Sequence, residues 1–173
     1  MDDTIRIFYL LVLAALLSWL AWQVFRQVAR SRGVEDVITR LQPKLKKGPG
    51  SAEEFYELGC AFLEKRLYSE AGQNFKKALN IHPEFAEVLN NLGFCYFQQN
   101  QYDLAIRQYK EAVRLKPNYT AALNNLGHAY EQKGQAELAL DAYEQVLSAQ
   151  PDNAIAERRA RSLRKRVSST EQV

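Results

Sequence analysis

Two asparagine pairs, Asn90 with Asn91 and Asn124 with Asn125, recur 34 residues apart. A carboxamide both donates and accepts hydrogen bonds, so pairs brought into line can hold an extended chain whatever its side chains. The plainer role for such residues is to complete hydrogen bonds inside the molecule. Groups that could do covalent chemistry do not assemble. The two cysteines, Cys60 and Cys95, and the two histidines, His82 and His128, fall in no zinc spacing. No glycine-rich phosphate loop is present, and no Ser-His-Asp or Cys-His set shares a local frame. Glu53, Glu54 and Glu57 are the kind of acidic residues that a solvated helix face carries. Catalysis is not expected, nor is a cofactor or a metal.

What must position the asparagines is a repeating unit. The pairs Leu58-Gly59, Leu92-Gly93 and Leu126-Gly127 keep the same 34-residue period. So do Phe55/Leu89/Leu123, Phe62/Tyr96/Tyr130, Ala71/Ala105/Ala139, Phe75/Tyr109/Tyr143 and Pro83/Pro117/Pro151. The period and columns match the tetratricopeptide repeat, a helix–turn–helix unit. Leu and the first aromatic lie four apart on one helix face. Glycine clears the place where the second helix crosses, and proline ends that second helix. The reading is all-α: repeats at 52–85, 86–119 and 120–153, stacked into a right-handed superhelix that holds other proteins. Ser51 and Glu54 form a capping box at the first repeat, and Gly48-Pro49-Gly50 reads as a domain breaker. Three departures stand out: Val146 replaces the usual Ala, Ala136 stands where the other repeats have Tyr68 and Tyr102, and Arg66 occupies the turn position of Asn100 and Gly134.

In such a superhelix the first helices line the concave side. The candidate partner-binding residues are then Tyr56, Glu57, Cys60, Asn90, Asn91, Phe94, Phe97, Asn124, Asn125 and His128. Repeat proteins that grip a chaperone's C-terminal carboxylate place cations at positions that here hold Tyr56, Ala121 and Asn125, so that subclass is disfavoured. The acidic flank points instead to a neutral or basic ligand.

Residues 7–25 hold no charged residue and only Ser18 and Gln23 as polar ones. Nineteen helical residues rise about 29 Å, close to a bilayer's hydrocarbon thickness, and Trp19, Trp22 and Phe25 suit its interfacial belt. Asp2 and Asp3 in the leader and the lack of a small-residue cleavage site argue for a retained span over a signal peptide. Residues 1–28 are read as an anchor. Arg6 precedes the apolar run, whereas Arg26, Arg30, Arg32, Arg40, Lys44, Lys46 and Lys47 follow it, which puts the repeats on the cytoplasmic or equivalent side. In the connector, 29–51, Val34, Val37, Ile38 and Leu41 recur at helical spacing. That segment is either an amphipathic helix on acidic lipid or a solvated stalk.

Charge is uneven. Residues 1–50 net +4, residues 51–153 net −5, and residues 154–173 net +4. A nucleic-acid binder would carry its basic patch on the binding body, so none is expected as partner. Residues 154–173 read as a solvating terminal helix capped by Asp152 or Asn153, with Ile155, Ala156, Ala160, Leu163 and Val167 packed inward. Cys60 and Cys95 sit on neighbouring helices too far apart to bridge, which fits free thiols in a reducing compartment.

The architecture as a whole also resembles a known family. One N-terminal span, a short basic connector, three repeats ending Tyr143-Glu-Gln-Val-Leu147 and a basic tail, in 173 residues, are similar to the hypothetical chloroplast reading frame thirty-seven family of cyanobacteria and plastids. The resemblance implies a thylakoid membrane protein that assists assembly or stability of photosystem I, with its subunits or assembly intermediates as partners. A membrane-tethered adaptor for another bacterial membrane or envelope complex would have the same layout.

Overall fold

The computed structural model describes residues 2–170, and within them eight helices and no strand. Helix α1 (Asp2–Lys47) is followed by three antiparallel pairs: α2 (Ala52–Glu64) with α3 (Tyr68–Ile81), α4 (Ala86–Gln98) with α5 (Tyr102–Leu115), and α6 (Thr120–Gln132) with α7 (Ala136–Ala149). Helix α8 (Ala154–Thr170) closes the stack. Met1 and residues 171–173 lie outside the described residues, as do the side chains of Asp2, Asp3, Arg6 and Arg30.

Local chemistry sets these boundaries. At α2 both arms of the capping box form: Ser51 Oγ accepts from the Glu54 N–H at 3.2 Å, and the Glu54 carboxylate accepts from the Ser51 N–H at 3.1 Å. At α8 it is Asn153 that caps, its Oδ1 accepting from the Ala156 N–H at 3.0 Å. Helices α3, α5 and α7 each stop two residues before Pro83, Pro117 and Pro151. Arg66, Asn100 and Gly134 make the turns inside the three pairs with φ of +60°, +59° and +72°, so the arginine occupies a left-handed conformation that suits glycine.

The glycine columns mark the helix crossings. A Cβ added at Gly59, Gly93 or Gly127 would lie 2.5, 2.7 or 2.8 Å from the ring of Phe75, Tyr109 or Tyr143. Those rings are 0%, 1% and 2% exposed and form the centre of each pair.

Helix α1 differs from the expected anchor-plus-connector. It runs unbroken for 46 residues, about 69 Å, through Pro43. Its last turns are neither a lipid-surface helix nor a solvated stalk: Leu41 is buried, and Val37, Ile38 and Leu45 pack with it onto the cluster of Phe55, Leu58 and Phe62. The register explains this. Leu41 precedes Phe75 by one 34-residue period, Val37 precedes Ala71, and Pro49 precedes Pro83. The end of α1 is therefore the second helix of a half-repeat, and Pro49 is a repeat proline as well as a breaker. Arg40, Lys44 and Glu35 pair with Glu57, Glu54 and Lys65. These exposed pairs add little to stability; the burial of Leu41 carries the docking.

Residues 7–25 of α1 are exposed, with no other part of the described residues covering them. Leu16, Trp22 and Phe25 are among the exposed large apolar residues. This helix is long and apolar enough to cross a membrane, with a mean hydropathy of 2.0 over its most apolar window. At the other end, α8 buries Ala156, Ala160 and Leu163 against α7, as expected, but Ile155 is 61% exposed. It sits about 100° round the helix from Ala156 and so misses the buried stripe.

Candidate protein-interaction groove

Helices α2, α4 and α6 stand side by side, and side-chain hydrogen bonds run between them. Asn125 Nδ2 donates to Asn90 Oδ1 at 2.9 Å, Asn90 Nδ2 donates to Asn91 Oδ1 at 3.2 Å, and Asn91 Nδ2 reaches Cys60 Sγ at 3.7 Å. The chain of bonds spans three repeats but is turned largely on itself. Asn90 is buried and committed to its two neighbours, so its role is to hold the first helices in register rather than to meet a ligand. Asn91 and Asn125 are half-buried and keep bonding capacity beyond these contacts. Asn124 differs: its Oδ1 is buried with no hydrogen-bond partner among the described residues.

Aromatic rings flank this floor. Tyr56 leans on Phe85, with ring centroids 5.1 Å apart. Phe94 meets Tyr68 edge-on at 6.4 Å. Phe97 packs against His128 at 4.7 Å and Tyr102 at 5.4 Å. All are partly exposed, which leaves apolar faces for a partner's side chains. His82, in contrast, lies at the end of α3 against Phe85, away from the asparagines.

Burial controls the titratable groups. It pushes the Tyr56 hydroxyl up to about 12, with the neighbouring Cys60 adding to the shift. It also raises the Cys60 thiol above its ordinary value. The His128 imidazole is lowered by burial and further by the positive Arg159. The floor is thus uncharged near neutral pH. Glu57 at its edge is engaged by Arg40 of α1. Cys95 is buried in the α3–α4 core, its thiol pushed up to about 12, and both cysteines are free. Neither thiol has the electropositive surroundings that make a reactive nucleophile.

The groove positions of the third repeat include Glu131, whereas Arg159 is not among the residues that the sequence reading singles out. The Glu131 carboxylate accepts from the Tyr143 hydroxyl at 2.7 Å and from the Arg159 guanidinium at 3.2 Å. The period holds the signal that would have found Arg159, because it follows Asn125 by 34 residues.

Comparison with known proteins agrees with this geometry. Family models described as tetratricopeptide repeat match residues 62–110 and 120–153, and one described as TPR repeat matches 95–134. The "Uncharacterized protein ycf37" of Guillardia theta is 32% identical over 73 residues, 42% of this chain and 41% of that protein. The chloroplastic tetratricopeptide repeat domain-containing protein PYG7 of Arabidopsis thaliana is 37% identical over 76 residues, 44% of this chain and 25% of that protein. The aligned stretch therefore spans 41% and 25% of these relatives' length. Among solved structures, the first TPR domain of Spaghetti (RPAP3), bound to the HSP90 peptide SRMEEVD, is 26% identical with a TM-score of 0.65, over 68% of this chain and 93% of that one. YrrB, described as a TPR protein with an unusual peptide-binding site, has a TM-score of 0.70 at 21% identity, over 75% of this chain and 67% of that one, and shares the fold. The columns, the stacked helix pairs and these matches agree: the chain carries a stack of tetratricopeptide repeats, a unit that holds other proteins, and its sequence is similar to ycf37 proteins.

Proposed function

We propose that this protein is a membrane-anchored scaffold that assists assembly or stability of photosystem I in the thylakoid membrane, with the repeats on the cytoplasmic or stromal side. The observation that carries the reading is α1. The uncovered apolar stretch of residues 7–25 and the half-repeat that caps α2 belong to one helix, so the groove is built onto its anchor without a flexible linker. The partner is a photosystem I subunit or assembly intermediate, held against the asparagine floor and the rings of Tyr56, Phe94 and Phe97. The chloroplast and algal origin of the relatives supports the thylakoid assignment. The excess of basic residues after the apolar stretch supports the orientation.

Affinity purification of the tagged chain from mildly solubilised membranes, followed by mass spectrometry, tests the reading. Photosystem I subunits are expected in the eluate, and alkaline carbonate should leave the chain in the membrane pellet. Enrichment of a different membrane complex would reject the photosystem assignment and keep the scaffold. Release by carbonate would reject the anchor.

A further inference from the structure

We infer that the groove continues past α6 onto α8, and that this end receives an extended acidic segment of the partner protein, with Arg159 meeting its carboxylate. The inference rests on the concave face being a protein-binding groove, and it assigns the chemistry of one end.

Helix α8 occupies the place of a fourth first helix. It begins at Ala154, one 34-residue period after Thr120, and Arg159 stands where Asn125 stands one repeat earlier. Both reach back to the preceding first helix. Asn125 gives its amide to Asn90, and Arg159 gives its guanidinium to Glu131. That difference leaves a gap in the floor. Asn124 is the counterpart of Asn90, yet its buried Oδ1 receives no donor because Arg159 is drawn to Glu131 instead. A buried acceptor left empty is unfavourable. An extended chain lying along α6 meets the Arg159 cation where the earlier repeats present an amide, while the solvent-closed Asn124 Oδ1 stays out of its reach.

Charge sets what else that chain must carry. Helix α2 has four glutamates and no cation, α4 and α6 have one acidic residue each, and α8 has six cations and one glutamate. At α2 the balance is met within the molecule, since Lys44 and Arg40 engage Glu54 and Glu57. At α8 it is not. Glu131, Glu157 and Glu144 answer Arg159, Arg161 and Arg164, while Arg158 and Lys165 make no ion pair among the described residues. The Arg159 side chain is 40% exposed against 15% for Glu131, so the cation is the accessible partner of that pair. Ile155, one turn before Arg159 on the same helix, is exposed and adds apolar surface beside it. The fitting occupant is a slim acidic strand with an aromatic or apolar side chain beside the carboxylate. A lipid or nucleic-acid phosphate sheet would meet the outward Arg158 and Lys165 and would not enter between α6 and α8. The helix beyond the repeats reverses the charge, so this end takes an acidic segment and departs from the neutral or basic ligand to which the repeat body alone points.

The test uses the full chain in detergent micelles and two degenerate decapeptide pools. Each pool carries one aromatic residue, and three randomised positions are Glu in one pool and Gln in the other. The Glu pool should bind at least about tenfold tighter, the size of one charge-assisted hydrogen bond. Arg159→Gln should abolish that preference. Glu131→Gln breaks the same ion pair but frees the guanidinium, so it should strengthen Glu-pool binding. If Arg159 merely fastened α8, both variants would weaken binding alike, which would overturn the assignment. Equal retention of the two pools would overturn it and leave the groove intact. Retention of neither pool would overturn the groove reading itself. Displacement by glycerol phosphate as readily as by free Glu pool would give the site to a phosphate group and overturn the peptide assignment.

Discussion

Alanine at Gly93 and alanine at Gly72 should move stability in opposite directions, although both glycines lie inside helices. In a helix interior, glycine to alanine gains about 1 kcal/mol from backbone propensity alone. At Gly72 the nearest atoms to a new Cβ are Leu92 Cδ1 at 3.7 Å and Cys95 Cβ at 3.8 Å, ordinary contact distances. The full gain of about 1 kcal/mol is expected there. At Gly93 the Cβ would stand 2.7 Å from Tyr109 Cε1 and 2.8 Å from its Cδ1. Carbon pairs rest at about 3.5 Å or more, and the Tyr109 ring, 1% exposed, has nowhere to move. Overpacking of this severity costs about 3 kcal/mol, which leaves a net loss of about 2 after the propensity gain. The two variants should thus differ by about 3 kcal/mol. Guanidinium unfolding of the full chain in detergent, followed by helical circular dichroism, measures the difference. A Gly93→Ala chain as stable as wild type would refute the reasoning that the glycine column exists for the helix crossing.

Other perturbations test other parts of the structure. Arg66→Gly relieves a left-handed arginine at φ +60° and should stabilise the first repeat by about 1 kcal/mol in the same unfolding assay. Leu41→Ala removes the buried anchor of α1 on α2, so a loss of about 3 kcal/mol and faster proteolysis near residue 48 are expected; an unchanged chain would mean that α1 is only a tether. Folding holds the Cys95 thiol protonated up to about 12, against an unfolded value of about 8.5. Its contribution is therefore full below about pH 8.5 and declines by about 1.4 kcal/mol per unit as pH rises toward the folded value. Cys95→Ala should flatten the alkaline fall in unfolding midpoint seen in wild type. Asn90→Ala strips the donor and acceptor that join Asn91 to Asn125, and about 2 kcal/mol should be lost; a neutral effect would deny the asparagine chain its structural role.

Much of the fold is legible in the residues because the unit is short and repeats. Gly59, Gly93 and Gly127 each meet the ring that the same period places opposite, and Pro83, Pro117 and Pro151 each end a helix. What escaped is where the repetition is partial. Leu41 and Pro49 are in register with Phe75 and Pro83, but the intervening half-repeat has no Leu-Gly column of its own, so its helix reads as connector. Ile155 belongs to an apolar count along α8, yet the helix turns it out of the buried stripe. The period places the candidate groove residues on the first helices, but it does not give their bonding. Whether Asn90 faces a ligand or its neighbours depends on rotamers and on which residue follows one period later, and no pattern of residue types encodes that choice. Arg159 shows the same limit, since its pull toward Glu131 and the empty acceptor on Asn124 emerge only from the packed helices.

The central claim, a scaffold that holds photosystem I components in its concave groove, is tested most directly by site-specific photo-crosslinking in intact membranes. A photoreactive residue replaces Phe97 in the groove or, as a control, Leu138, which is 47% exposed on α7. The account predicts a crosslink from position 97 to a photosystem I subunit, identified by mass spectrometry, and none from position 138. Crosslinks to that subunit from position 138 alone, or to an unrelated complex from position 97, would contradict it.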